Sequence, residues 1–341
     1  LIEYHFNVFA PFTTTGIGSL PHRDPEEACR LVLGTCDIPF WPQLPNMSFK
    51  ESMILQYSEG LPGIKIDDKR ETAWIEKDSS DELIKFYETY SEDYSVAISE
   101  GYAKGLYTFI RILCDRKIHS VKGHSTGPLT FTLGLRDSHK RLVYFDEELR
   151  EICLMLLKAK IRWQVEILKS CAGNVIIFID EPILSALGST SYLGVDPHES
   201  LRLLRETSDA IEQAGGIPGI HCCSNADWPL VISSNVRIIS FDAFEYVDTI
   251  MIYPEEFYRF LDGGGYLAWG LVPTTDSIND VTVDVLKKHF ETSMGKLSKF
   301  VPPALLLSRI LLTPSCGAGS RSIEEAERIF HILKELKESM A

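Results

Sequence analysis

The chain has 341 residues, 45% hydrophobic and 24% charged, which is ample for one large core or two modest ones. A formal net charge of −14 and a pI near 5.1 exclude nucleic acid and anionic membrane as general partners, because an acidic surface attracts neither. The longest apolar runs, such as 175–179, are far too short to span a bilayer, and with no secretory leader visible the eight scattered cysteines point to a reducing cytoplasm.

In chain order, apolar periodicity predicts a strand at 13–19 ending in Gly18-Ser19, a helix at 25–33 and a second strand at 38–42. Segments 64–66 and 73–75 flank the turn-like Asp67-Asp68-Lys69-Arg70 and read as a small β-hairpin inserted after the second strand, either a lid or a surface decoration. A helix at 81–113 leads to the third strand, 118–125, and a helix at 146–171 to the fourth, 174–180, which ends in Asp180. Helix 197–214 precedes the fifth strand, 217–223, which carries His221-Cys222-Cys223, and the sixth strand, 237–242, ends in Asp242. Helix 254–261, strand 266–273, helix 281–300, strand 310–316 with Cys316 at its end, and helix 322–340 complete the series. Strand followed by helix, eight times over, predicts an α/β protein of the (β/α)8 TIM-barrel type. No linker, low-complexity tract or repeat divides residues 1–341, so a single domain is expected.

Such a barrel gathers the C-terminal ends of its strands at one mouth, where active sites of this fold lie. His221 and Cys223 are two apart and share a strand face, while Cys222 points the other way. With Asp242 and Cys316 they supply imidazole, two thiolates and a carboxylate, a donor set for one zinc ion. The plain alternative is a buried histidine among core cysteines. At the fourth strand end, Asp180 or Glu181 either meets an ammonium group through a charge-assisted hydrogen bond or caps a loop. Gly18-Ser19 offers backbone N–H groups and a hydroxyl to an anion, or is a simple turn. His124 reads equally as a core residue or a site residue.

Five segments in order, Thr13-Thr14-Thr15-Gly16-Ile17-Gly18-Ser19-Leu20-Pro21, Lys122-Gly123-His124-Ser125-Thr126-Gly127-Pro128, Ile179-Asp180-Glu181-Pro182, His221-x-Cys223 and Thr313-Pro314-Ser315-Cys316-Gly317, carry a resemblance. Together they resemble the catalytic C-terminal barrel of cobalamin-independent methionine synthase, within the superfamily that includes uroporphyrinogen decarboxylase and corrinoid-dependent methyltransferases. The resemblance covers nearly the whole chain and implies zinc held by His221, Cys223, Cys316 and a carboxylate. It also implies a homocysteine pocket in which Gly18 and Ser19 hold the carboxylate and Asp180 the ammonium. Family spacing from the H-x-C motif places the fourth ligand near Glu245, whereas alignment of strand 237–242 favours Asp242 at the strand end.

Departures from the family bear on the methyl donor. The family's companion N-terminal barrel is missing from this chain. Its folate-using members carry a histidine after the seventh strand, but no histidine lies between His221 and His289. The tryptophan beside the folate is also missing, since Gly127-Pro128 continues Leu129-Thr130-Phe131. Gln43 stands where the family has an acidic group for the substrate ammonium. The expected activity is zinc-dependent methylation of a thiol, most simply homocysteine to methionine, with a small-molecule thiol as substrate and methylcobalamin or a methylated corrinoid protein as donor. Two other readings stand beside it: a metal-free decarboxylase of the uroporphyrinogen type, with arginines at the mouth, and a non-catalytic zinc- or corrinoid-binding partner. An acid for a folate donor would have to come from elsewhere, with His22 or Asp276 nearest.

Overall fold

In the computed structural model, which describes residues 8–77, 80–89, 94–113, 116–187 and 189–340, β-branched and apolar runs form nine strands. They are β1 (Thr13–Thr14), β2 (Ile64–Asp67), β3 (Thr72–Ile75), β4 (Ile118–Thr126), β5 (Ala172–Asp180), β6 (Ile217–Cys222), β7 (Ile238–Asp242), β8 (Tyr266–Val272) and β9 (Ile310–Pro314). Around them lie α1 (Pro25–Thr35), α2 (Met53–Ser58), α3 (Ser80–Thr89), α4 (Lys104–Leu113), α5 (Pro128–Gly134), α6 (Glu147–Lys169) and α7 (Pro197–Gln213). The helices continue with α8 (Trp228–Ile232), α9 (Ala243–Ile250), α10 (Pro254–Asp262), α11 (Val283–Leu297), α12 (Pro303–Ser308) and α13 (Ile323–Met340). Among the described residues no helix is long and apolar enough to cross a membrane.

Seven strands make one sheet in the order β1-β9-β8-β7-β6-β5-β4, with every neighbouring pair parallel. The predicted second strand, 38–42, differs from expectation: it is no regular strand, and around it the pairing is reduced to the isolated bridges Phe40 to Lys122 and Ser19 to Gln43. Pro39 and Pro42 are the reason, because neither has an N–H to give to a ladder. The segment still closes the sheet. Ile38 N–H donates to Thr14 O (3.0 Å), Lys122 N–H to Pro39 O (2.9 Å) and Gln43 N–H to Gly18 O (3.0 Å). Where the ladder lapses, Gln164 of α6 substitutes for it. Its Oε1 accepts from His124 N–H (3.1 Å) and Trp41 Nε1–H (2.9 Å), and its Nε2 donates to His124 O (2.9 Å). Eight staves with helices outside make the TIM-type barrel.

Side-chain alternation divides the core in two. Along β5, Ile176 and Phe178 join Ile17, Ile38, Ile238, Tyr266, Ala268 and Leu311 inside the barrel, while Val175, Ile177 and Ile179 join the larger apolar layer under the helices. Each valine, leucine, isoleucine or phenylalanine among them contributes roughly 1.5–3 kcal/mol by leaving water. The predicted helix 81–113 is two helices, α3 and α4, and residues 90–93 of it lie outside the described residues. The intervening chain is held in an irregular path: Val96 N–H donates to Ala159 O (3.3 Å), Ser99 N–H to the Glu59 carboxylate (2.8 Å), and Ile98 is fully buried. The hairpin forms as predicted, antiparallel from Ile64 opposite Ile75 to Asp67 opposite Thr72. Ile75 N–H ties it to Arg136 O (2.9 Å), and Ala73 lines a 290 Å³ apolar cavity with Met53 and Leu135.

Candidate functional site

Parallel register brings the chemistry-bearing strand ends level: Asp180 lies beside His221, His221 beside Ser240, and Asp242 beside Gly270. His221 is the fifth residue of β6 and faces the interior; Cys222 points into the outer core, as its alternation requires, and its Sγ donates to Ser224 O (3.4 Å). The chain turns just past the strand, so that Cys223 Sγ lies 3.3 Å from His221 Nε2 and 2.8 Å from the Sγ of Cys316, two residues beyond β9. One ligand atom from each of His221, Cys223 and Cys316 falls within 4.8 Å of the others. Nδ1 of His221 is 2.9 Å from Ser240 Oγ, a contact that fixes the ring so that Nε2 faces the sulfurs. The Cys316 turn is fixed as well. Ser315 N–H donates to Val272 O (2.8 Å), and Ser315 Oγ accepts from Thr274 N–H (3.1 Å). The hydrogen bond from the Cys223 thiol, reinforced by His221, pulls the Cys316 thiol down to about 4, while its thiolate and burial push Cys223 upward. The shared hydrogen bond thus favours the thiolate form on Cys316 over Cys223. An imidazole and two thiols converging in this way make a donor set for a borderline-soft cation such as zinc, which would take both sulfurs as thiolates.

A cleft of 430 Å³ opens over this cluster, and its wall includes Ser19, Gln43, Asp180 and all three of His221, Cys223 and Cys316. Six of the predicted site residues thus line the cleft. Ser19 approaches so closely that a Cβ on Gly317 would stand 2.2 Å from its Oγ, so a larger residue there would displace the Ser19 hydroxyl. Gly18 sits behind the wall, where a Cβ would come within 2.9 Å of His124 Nδ1. Gln43 is held by a relay, its Nε2 donating to Gln56 Oε1 (2.9 Å) and Gln56 Nε2 donating to Tyr102 O (2.7 Å). Gln56 and Ser240 had no signal of their own in the sequence, because their roles exist only across the fold.

The two adjacent carboxylates at the end of β5 separate by role. Glu181 is fully buried and caps α5, its carboxylate accepting from Leu129 N–H (2.8 Å), Thr130 N–H (2.8 Å) and Thr130 Oγ1–H (2.6 Å). Asp180 has no such partners. Its Oδ1 is buried without a hydrogen bond, and burial, opposed by the charges of Lys122 and His221, pushes the carboxyl up to about 7.

Asp242 ends β7 and is 6% exposed, but it is not among the three residues that converge. Its Oδ1 accepts from Glu245 N–H (2.9 Å) as the N-cap of α9, and burial pushes its carboxyl up to about 6. Glu245 is exposed and lines a separate groove with Phe244, Lys288 and His289. His124 is buried with both ring nitrogens unpaired and its ring stacked on Trp41 at 3.8 Å. His22 is buried under the first loop and Asp276 pairs with Arg321 at 2.7 Å; neither lines the cleft. At the opposite end of the barrel a 230 Å³ cavity, bounded by Phe9, Ile217, Pro218 and Tyr266, contains neither histidine nor cysteine.

No family model matches the sequence, and no curated protein matches it. Solved structures do share its fold. A B12-independent methionine synthase from Shewanella sp. W3-18-1, solved in complex with selenomethionine, superposes with a TM-score of 0.63 at 18% identity, over 97% of this chain and 98% of that one. A methyltransferase from Methanosarcina mazei superposes with a TM-score of 0.52 at 16% identity, over 97% of this chain and 94% of that one.

Proposed function

We propose that this chain is a zinc-dependent thiol S-methyltransferase, with homocysteine as substrate and methionine as product. One observation carries the reading: His221 Nε2, Cys223 Sγ and Cys316 Sγ converge on the wall of the cleft into which the unpartnered Asp180 carboxylate also faces. The donor set fits zinc, which would be held by His221, Cys223 and Cys316 with Asp242 as the candidate fourth ligand and would keep a bound substrate sulfur deprotonated and nucleophilic. The chain's own residues do the rest. Ser240 sets the imidazole, and the Ser315 turn sets Cys316. Asp180 receives the substrate ammonium and Gly18-Ser19 its carboxylate, so the thiol is presented in one orientation. A neighbour of the same fold binding selenomethionine, an amino acid with a methylated selenium, supports an amino-acid thiol in this barrel.

A methylated corrinoid, free or on a carrier protein, is the donor we favour over methyltetrahydrofolate. A folate nitrogen departs only with a proton, whereas Co(I) leaves without one. The 270–276 loop carries no histidine, and Asp276 is drawn to Arg321. The decarboxylase reading is not better supported: among the described residues no arginine lines the cleft. Metal analysis decides the core of the proposal: purified protein should contain about one zinc per chain, and Cys316→Ser should lose it. Unchanged zinc in a folded Cys316→Ser protein would show that the site is wrong.

A further inference from the structure

Lys122 is a basic residue in the apolar interior of the barrel, and the site as described gives it no role. It lies on β4 with 0% exposure. Its ammonium stands 4.5 Å from the centre of the Phe178 ring and 5.5 Å from that of Phe40, and its one hydrogen bond runs to the Ile17 carbonyl oxygen. No ion pair reaches it among the described residues. A buried ammonium with one acceptor costs several kcal/mol unless other groups compensate. Two features of its surroundings do so. Asp180, whose Oδ1 is unpartnered, is the anionic group nearest in effect to it. The second is the loop that it grips, Ile17-Gly18-Ser19, of which Ile17 and Ser19 line the cleft.

The geometry of that grip is specific. In a planar trans peptide the N–H points opposite to the C=O. An Ile17 carbonyl turned inward to Lys122 therefore turns the Gly18 N–H away from Lys122. That N–H and the N–H of Ser19 make no hydrogen bond among the described residues. Ser19 O is meanwhile fixed by Ala318 N–H (2.9 Å), and Gly18 O by Gln43 N–H (3.0 Å), so the loop is pinned on three sides with two donors left over.

We infer that Lys122 is a positioning and specificity-determining residue: it holds the Ile17–Gly18 peptide with its N–H free for an anion and sets a basic group behind that loop. With Asp180 on the cleft wall, that basic group behind the Gly18-Ser19 loop would stand against a carboxyl at the end of β5. A zwitterionic α-amino acid matches both groups at once, and a simple thiol matches neither. This inference rests on the amino-acid thiol reading above and assigns the carboxylate half of that specificity to a residue that touches no substrate atom.

The test compares two probes on the full-length, zinc-loaded protein by titration calorimetry: L-homocysteine, and 3-aminopropane-1-thiol, which is the same molecule without its carboxylate. Lys122→Met keeps the volume and removes the charge and the donor; a buried charge replaced by an apolar side chain of similar size usually leaves a protein folded. Lys122→Gln keeps a donor for Ile17 O without the charge, and serves if the Met variant does not fold. L-homocysteine should bind the Met variant roughly tenfold or more weakly and the Gln variant less weakly than that, while the carboxylate-free thiol shifts by less than about threefold. Equal weakening of both thiols, or undiminished binding of L-homocysteine, would overturn the inference. Wild-type protein that binds neither thiol would instead overturn the amino-acid thiol reading, and the inference with it.

Discussion

Asp180→Asn separates recognition of the substrate ammonium from everything else the cleft does. In the free protein the Asp180 carboxylate is 6% exposed and its Oδ1 has no partner. A substrate ammonium placed there makes a charge-assisted hydrogen bond out of water. Removing one partner of such a pair costs about 2–5 kcal/mol, or roughly thirtyfold to several-thousandfold in affinity. Burial already holds the carboxyl up to about 7, which opposes the ionised form and points to the lower end of that range. At about pH 8, where the group is ionised, L-homocysteine should therefore bind the variant some thirtyfold more weakly, roughly 2 kcal/mol. The control ligand is 4-mercaptobutanoate, which lacks only the amino group and should bind wild type and variant alike, with zinc content unchanged in both. An equal loss for the two ligands would mean general damage to the cleft, and no loss for either would remove Asp180 from the site.

Replacing Asp242 and Glu245 separately by Ala should remove zinc only in the Asp242 variant; loss confined to the Glu245 variant would overturn the choice of fourth ligand. The Asp242 variant should also lose about 1 kcal/mol in thermal unfolding of the metal-free protein, because α9 loses its N-cap. Zinc-loaded protein mixed with homocysteine should yield methionine from methylcobalamin and none from methyltetrahydrofolate alone, and the reverse outcome sinks the corrinoid assignment. Glu51 supplies a pH test on a carboxyl that is no part of the proposed metal site. Burial pushes its carboxyl up to about 7 against hydrogen bonds from Lys104 N–H and Leu44 N–H, whereas the unfolded value is about 4.3. A raised folded value means that the stability it contributes is full below about pH 4.3 and is lost as the pH climbs through about 7, by at most about 4 kcal/mol. Urea denaturation should accordingly show Glu51→Gln gaining on wild type between these pH values; a constant or shrinking gap contradicts the assignment.

The alternation of strand and helix was legible because each β-branched run is short and closed by turn residues, and the hairpin because its two segments flank a polar turn. Segment 38–42 looked like its sister strands in composition, yet Pro39 and Pro42 already indicated that a regular ladder could not form there. Helix 81–113 was overextended because its apolar spacing runs on while the backbone is diverted by tertiary contacts such as Ser99 with Glu59, which spacing does not report. At the site, His221, Cys223 and Cys316 were visible as residue types at strand ends, and the structure brings their ligand atoms together. Asp242 carried a second message in the same letters, since Asp-x-x-Glu is also a helix-start pattern, and the cap is the role the structure displays. Glu181 was indistinguishable from Asp180 in sequence. Its partners are Leu129 and Thr130, in the first turn of α5, and nothing local announces them.

The proline-interrupted stave makes the barrel unequal around its circumference. From β4 through β9 the strands are joined by ladder after ladder, and amide hydrogens there exchange with solvent only when many bonds break together. At 38–43 two donors are missing and the side chain of Gln164 bridges the gap, so this seam is where the ring opens at least cost. The Gly18-Ser19 loop hangs on that seam through Gln43, whereas His221, Cys223 and Cys316 are carried by the continuous side. Slow exchange across β5 to β8 with faster exchange at 38–43 would be the signature of a cleft that loosens to admit and release an amino acid while its sulfur-bearing wall keeps its shape.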